Sequence, residues 1–146
     1  MIAGVILAAG DSSRMGFPKQ LAEYKGKTIL ETVVETVTSN LDETVVVLGH
    51  ENDTITEKLD FKESTILINE NWEEGIVSSI RTALFYLSEN NEIDSAMIFM
   101  ADQPSVNNKI IDKLIKTKKK DDEVVISKYR YKLNYPIIVP KYFWSK

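Results

Sequence analysis

The chain has 146 residues, 43% of them hydrophobic and 27% charged, with a formal net charge of −4 and no cysteine. That length makes one domain, enough to bury roughly 68–70% of the unfolded surface. The negative balance argues against nonspecific nucleic-acid binding, which needs a basic face, and the missing cysteines exclude a disulfide framework, a thiol nucleophile and a Cys-ligated zinc site. No signal peptide or spanning segment is read, because the N-terminal apolar run is too short, and the expected setting is a reducing cytoplasm.

Ile2 to Ala9 is a continuous apolar run of the kind that forms a strand buried on both faces. It leads into Gly10-Asp11-Ser12-Ser13-Arg14-Met15-Gly16-Phe17-Pro18-Lys19. The slight side chains of Gly10, Ser12, Ser13 and Gly16 let backbone N–H groups approach phosphate oxygens closely. Arg14, with its planar fork of donors, and Lys19, a compact point charge, would neutralise those oxygens and stabilise charge building on a leaving pyrophosphate. Other phosphate loops fail on spacing. A Walker A motif ending at Gly26-Lys27-Thr28 needs glycine where Leu21 stands, and Ser12 occupies the second glycine position of a dinucleotide fingerprint.

Helical periodicity follows over Thr28 to Ser39, placing Ile29, Leu30, Val33, Val34 and Val37 on one face. Thr44 to Leu48 reads as a strand, Thr54 to Leu59 as a weaker helix and Ser64 to Ile68 as a strand. Ile76 to Leu87 is a predicted helix burying Ile76, Ile80, Leu84 and Leu87. Ala96 to Met100 is a strand, Asn107 to Lys116 a helix burying Ile110, Ile111, Leu114 and Ile115, and Val124 to Ser127 a fifth strand-like run. This alternation predicts an α/β fold: a Rossmann-like three-layer sandwich with a mainly parallel central sheet and helices on both faces, in a single domain over residues 1–146. Ligands of such sheets collect at the carboxyl ends of the strands, which is where the first loop falls.

Two further segments fall there as well. Asp102 follows the run Ala96 to Met100, where its carboxylate would suit Mg²⁺ bridging nucleotide phosphates; the alternative is a turn or helix-capping residue before Gln103-Pro104. A helix starting near Gly75 presents free N–H groups and a positive dipole end, with Asn69, Ser78 and Ser79 as neutral partners for a base or ribose. Ser78 and Ser79 equally fit as ordinary early-helix residues, and Trp72 is read as packing under the loop. His50 is read as a surface loop residue, and the charge run Lys116 to Glu123 as solvated. Tyr129, Tyr131, Tyr135, Tyr142, Phe143 and Trp144 are assigned to core packing by default, with an acceptor pocket or interface as the other reading.

The loop Leu7-Ala8-Ala9-Gly10-x-Ser12-Ser13-Arg14-Met15-Gly16-x-Pro18-Lys19 resembles the signature of the nucleotidyltransferases of molybdenum cofactor biosynthesis, the cytidylyltransferase branch above all. The guanylyltransferase branch has Ala-Gly-Gly for Ala8-Ala9-Gly10 and Asp-Lys for Pro18-Lys19. Asn69 to Ile80 resembles the family's Asn-x-x-Trp-x-x-Gly-x-x-x-Ser block, and Met100-Ala101-Asp102-Gln103-Pro104 its Gly-Asp-Gln-Pro.

The resemblance implies transfer of a cytidylyl group from CTP to the terminal phosphate of molybdopterin carrying molybdenum, with release of pyrophosphate and with Mg²⁺ as cofactor. It implies nucleotide binding by Leu7, Ala8, Ala9, Gly10, Ser12, Ser13, Asn69, Gly75 and Ser79, chemistry by Arg14, Lys19 and Asp102, and the metal on Asp102. It also implies a delivery contact with a molybdoenzyme or its chaperone. Asn134-Tyr135-Pro136-Ile137-Ile138-Val139 resembles a late strand of the family, with Tyr135 where Gly or His is usual. The family then continues beyond this chain's length with a Gly-Asp-x-Gly-Ala-Arg-like block, so a shortened or catalytically weak nucleotide-binding module is an alternative. A sugar-phosphate acceptor or GTP as donor is another.

Overall fold

The computed structural model describes residues 1–9, 23–24, 26–49, 61–101, 106–118, 124–129 and 132–144. Strand β1 (Ile2–Ala8) is followed by a two-stranded antiparallel ribbon, β2 (Glu23–Tyr24) and β3 (Lys27–Thr28), and by helix α1 (Ile29–Asn40). Then come β4 (Glu43–Leu48), β5 (Thr65–Ile68), α2 (Ile76–Leu87), β6 (Ser95–Met100), α3 (Asn108–Thr117), β7 (Val125–Tyr129) and β8 (Lys132–Pro140). The predicted helix over Thr54 to Leu59 lies outside the described residues, as does His50.

Six strands form one sheet in the order β5-β4-β1-β6-β8-β7. The pairs β5–β4, β4–β1 and β1–β6 are parallel, whereas β8 runs antiparallel to both β6 and β7. The sheet is therefore mainly parallel with an antiparallel insertion: α3 crosses from β6 to β7, and β8 returns as a hairpin between them, antiparallel to both.

Strand periodicity explains the three layers. Along β1, Ala3, Val5 and Leu7 enter one core cluster and Ile6 and Ala8 the other; Val45 and Val47 of β4 alternate with Val46 and Leu48 in the same way. Helix α2 covers the first face, and α1 and α3 cover the second. Burial on both faces is why these strands are unbroken apolar runs instead of alternating ones.

Helix starts follow local chemistry. Thr28 Oγ1 accepts the Glu31 N–H at 3.1 Å, and the Asn107 side chain accepts the Ile110 N–H at 3.1 Å, each satisfying a donor the helix cannot. The α1 stripe Leu30, Val33, Val34 and Val37 is buried as the periodicity predicts. In α3, Ile111 and Leu114 are buried, with Ile110 and Ile115 packed beside them. The stripe predicted for α2 needs correction. Ile76 is exposed and the buried line is Ser79, Ala83 and Leu87, with Ile80 and Leu84 only partly covered. Small residues at 79 and 83 let the helix axis approach the sheet, so this line faces inward and the larger apolar side chains flank it.

Toward the C-terminus, β8 contains a cis peptide bond at Tyr135-Pro136. Tyr135 and Trp144 pack against the α2-side core, and the Trp144 indole N–H donates to the Val139 carbonyl at 3.0 Å. Tyr142 stays exposed.

At the opposite edge of the sheet from the strand carboxyl ends, the Met1 amino group donates to Asp94 Oδ2 at 2.8 Å and to the Glu92 carbonyl at 3.0 Å. Burial pushes the Asp94 carboxyl up, but the hydrogen bond from the Met1 amino group and its positive charge outweigh that and hold the group below the usual carboxylate range. A lowered folded-state value stabilises above the unfolded pKa of about 3.9, and that contribution is lost as pH falls through the folded value. Asp94→Asn should therefore lower stability near pH 7 by about 0.2–1 kcal/mol, as befits a solvent-screened pair. The difference from wild type should shrink as pH falls below the unfolded value of about 3.9 in urea titrations.

Candidate functional site

The parallel pairing brings four strand ends to one edge. In register, Ala8 lies beside Leu48, Leu48 beside Ile68, and Leu7 beside Met100. The ladder continues one step past the strands, with Asn69 N–H donating to the Leu48 carbonyl at 2.7 Å and Ala101 N–H donating to the Leu7 carbonyl at 3.1 Å. From β1 the chain winds outward through β4 to β5, then returns to place β6 on the other side of β1. The crevice between β1 and β6 is thus the switch point at which open α/β sheets take their ligands.

All three sequence motifs leave the sheet at this edge. The first loop departs from Ala9, the middle block begins at Asn69 and the third motif follows Met100. Gly10, Ser12, Ser13, Arg14, Lys19 and Asp102 themselves lie outside the described residues.

Leu7, Ala8 and Ala9 are buried, with Leu7 and Ala9 in the core on the α2 side and Ala8 in the core on the other. Their side chains are therefore committed to the interior, and only main-chain groups at this strand end can meet a ligand.

The middle block is a closed hydrogen-bonded unit. Asn69, almost fully buried, accepts the Asn71 N–H on Oδ1 at 3.0 Å. That bond requires an oxygen, which orients the amide and leaves Nδ2 to donate to Ser78 Oγ at 2.9 Å and Ser79 Oγ at 3.0 Å. Ser78 Oγ in turn lies 2.7 Å from the Gly75 carbonyl and 3.1 Å from that of Asn71. In this structure Asn69 and Ser79, both expected near the nucleotide, are bonded to each other. Both amide atoms of Asn69 are used internally, and Ser79 is equally buried.

Between Asn69 and α2 the chain makes a 3₁₀ turn, Trp72–Glu74, and then Gly75 at φ +100°. That backbone angle favours glycine; the space around the residue does not demand it, since a Cβ there would meet nothing within 4 Å. Gly75 precedes α2 without a side-chain cap, so the start of the helix faces the strand-end edge without a capping side chain. Trp72 packs against the α2-side core, as the sequence predicts.

Sequence reasoning missed one contact. A Cβ built on Gly49 would lie 2.6 Å from Trp72 Cβ and 3.1 Å from Ala9 Cβ, so the end of β4, the 3₁₀ turn and the end of β1 meet at a point with no room for a methyl group. The only trace in the sequence is a glycine closing a β-branched run. Among the described residues, no group of three or more His, Asp or Glu side chains could hold a metal ion, and no helix is long and apolar enough to cross a membrane.

The MobA-like NTP transferase domain matches residues 4–146, and the chain belongs to that family. It is 32% identical over 122 residues to a probable molybdenum cofactor guanylyltransferase of Natranaerobius thermophilus, covering 82% of this chain and 56% of that protein. It is 29% identical over 116 residues to nicotine blue oxidoreductase of Paenarthrobacter nicotinovorans, covering 78% of this chain and 55% of that one. The chain thus spans little more than half the length of these relatives. Among solved structures, Rv0371c of Mycobacterium tuberculosis superposes with a TM-score of 0.86 at 22% identity, over 99% of this chain and 73% of that one. A manganese complex of the same mycobacterial protein superposes with a TM-score of 0.81 at 21% identity, over 99% of this chain and 73% of that one. These likenesses bear out the Rossmann-like fold.

The Asn69 network yields a stability test. Asn69→Ala removes the donor to buried Ser79 and should cost about 1–3 kcal/mol in urea unfolding, the range for a buried polar group left unsatisfied. Unchanged stability would mean that these bonds contribute nothing to the fold.

Proposed function

We propose that this chain binds a nucleoside triphosphate in the crevice between β1 and β6 and transfers its nucleotidyl group to a phosphorylated acceptor, the molybdenum cofactor, releasing pyrophosphate. The observation that carries this is the convergence of three motif-bearing segments on one sheet edge, at the switch point, in a member of the MobA-like family. The anionic acceptor phosphate attacks the α-phosphorus in line; a new P–O bond forms, the bond to the bridging β-phosphate oxygen breaks, and pyrophosphate leaves with the electron pair. An acceptor already ionised at neutral pH needs no strong base, so positioning and charge neutralisation carry the reaction.

The residue roles in this reading come from the chemistry of the motif. Amides of Gly10, Ser12 and Ser13, with main-chain groups of Leu7, Ala8 and Ala9, cradle the phosphates, and Arg14 and Lys19 neutralise them. Asn69, Gly75 and Ser79 shape the base and ribose side by fixing the start of α2. A single carboxylate suits a Mg²⁺ ion that takes its remaining ligands from phosphate and water, which is the role given to Asp102. Such an ion would withdraw charge from the phosphates. The manganese complex of the mycobacterial protein supports a divalent cation in this fold. A delivery contact with a molybdoenzyme or its chaperone, in a cytoplasmic setting, completes the proposal.

Cytidine is the proposed base, from Ala9 and Pro18-Lys19 in place of the guanylyl branch's Gly and Asp-Lys. Two observations favour GTP instead: the guanylyltransferase name of the Natranaerobius relative, and the burial of the Ala9 methyl in the core, away from open space. The Paenarthrobacter relative's redox name adds a reading in which no nucleotidyl group moves.

Calorimetric titration with CTP and GTP in the presence of Mg²⁺, followed by assay of pyrophosphate release with molybdenum cofactor, separates these readings. CTP should bind more tightly, and Lys19→Ala should weaken it by about 1.5–3 kcal/mol. GTP binding as tight as CTP would overturn the base assignment, and no triphosphate binding at all would overturn the site. Asp102→Asn keeps the side-chain shape and removes the charge. That variant should stay folded, lose the Mg²⁺ dependence of nucleotide binding and lose most pyrophosphate release; unaltered Mg²⁺ dependence would make Asp102 a turn residue.

A further inference from the structure

We infer that Gly49 is a positioning residue of the nucleotide site: by having no side chain it lets Trp72 and Ala9 close in on the end of β4, and this close packing sets the spacing between the end of β1 and the start of α2. The inference rests on the nucleotide reading above only for its functional consequence. The contact itself is geometric.

Gly49 follows β4 directly, and the residue before it is tied to the middle block through the bond from Asn69 N–H to the Leu48 carbonyl, 2.7 Å. A methyl at position 49 would stand 2.6 Å from Trp72 Cβ and 2.8 Å from Trp72 Cγ. Neither atom is the free end of a flexible side chain. Cβ moves only with the backbone, so the 3₁₀ turn would have to shift. That turn cannot shift alone, because the Trp72 carbonyl accepts the Gly75 N–H at 3.1 Å and Gly75 begins α2. Ser78 and Ser79, one turn into the helix, are held by Asn69. Displacement at Trp72 therefore reaches the helix start as a unit.

The other side of the contact is Ala9, the last described residue before the first loop. Its Cβ lies 3.1 Å from the same hypothetical methyl, and both Ala9 and Trp72 belong to the α2-side core. Packed interiors transmit such displacements because they hold few voids to absorb them. One missing methyl thus governs the relation between the strand end that launches the phosphate-binding loop and the helix start assigned to base and ribose.

The test exchanges the glycine and the bulk. Gly49→Ala, Trp72→Gly and the double variant are compared by Mg²⁺-CTP titration and by hydrogen exchange over residues 69–79. Gly49→Ala should raise the Kd about tenfold, as overpacking strain of this size would, and should speed exchange at Ser78 and Ser79. In the Trp72→Gly background, where the two obstructing atoms are gone, the same substitution should change Kd less than about twofold and leave exchange unchanged. An equal penalty in both backgrounds, or no effect of Gly49→Ala in either measurement, overturns the inference. If Gly49→Ala alone abolishes cooperative unfolding, recovery in the double variant supports the contact and failure to recover overturns it. If wild type binds no triphosphate, the nucleotide reading falls separately, and hydrogen exchange still decides whether Gly49 positions the helix start.

Discussion

Strand β1 is hydrogen-bonded on both edges and buried on both faces, and the rest of the molecule is arranged around that fact. A strand with no solvent side is apolar at every position and covered by helices above and below, and here both of its neighbours run parallel to it, returned by crossover segments. Its carboxyl end is then the one place where it can release a polar loop. The order β5-β4-β1-β6 follows when successive strands are laid outward on one side before the chain crosses to the other. The crevice arises because the crossing segments diverge there.

The described part of the site is a rigid floor. Leu7, Ala8 and Ala9 are spent on the core, Asn69 on binding Ser78 and Ser79, and Trp72 on covering the strand ends. None of these side chains is arranged for chemistry. Their common effect is to hold three chain segments at fixed spacing, and preorganisation of that kind is what transfer reactions lacking a strong base depend on.

The fold was legible wherever burial is uniform. Ile2 to Ala9 and Val45-Val46-Val47 announce two-sided strands because no polar residue interrupts them, and the apolar stripes of α1 and α3 announce those helices. The inward line of α2 was not legible, since periodicity favours large apolar residues whereas close approach to the sheet selected Ser79 and Ala83. The β2–β3 ribbon, two residues a side, is too short to carry a period. For the site, spacing located the middle block but not what its groups do. A buried amide beside two hydroxyls looks the same in sequence whether it faces a ligand or its neighbours. Gly49 was hidden for a related reason: its importance lies in an approach between residues 23 positions apart, Gly49 and Trp72, which no local pattern encodes.

The two partners of β1 become available at very different times as the chain is made. Its first residues find β4 about 40 positions later, Ala3 pairing with Glu43, whereas Ile2 waits for Ser95, a separation of 93. Until then β1 offers an open, flat, wholly apolar edge of the kind that recruits other chains. The interval in which a ribosome-bound chain is most exposed to aggregation is thus set by the same strand order that creates the crevice. A chain with this strand order leaves one edge of β1 unpaired until residues 95–100 have been made.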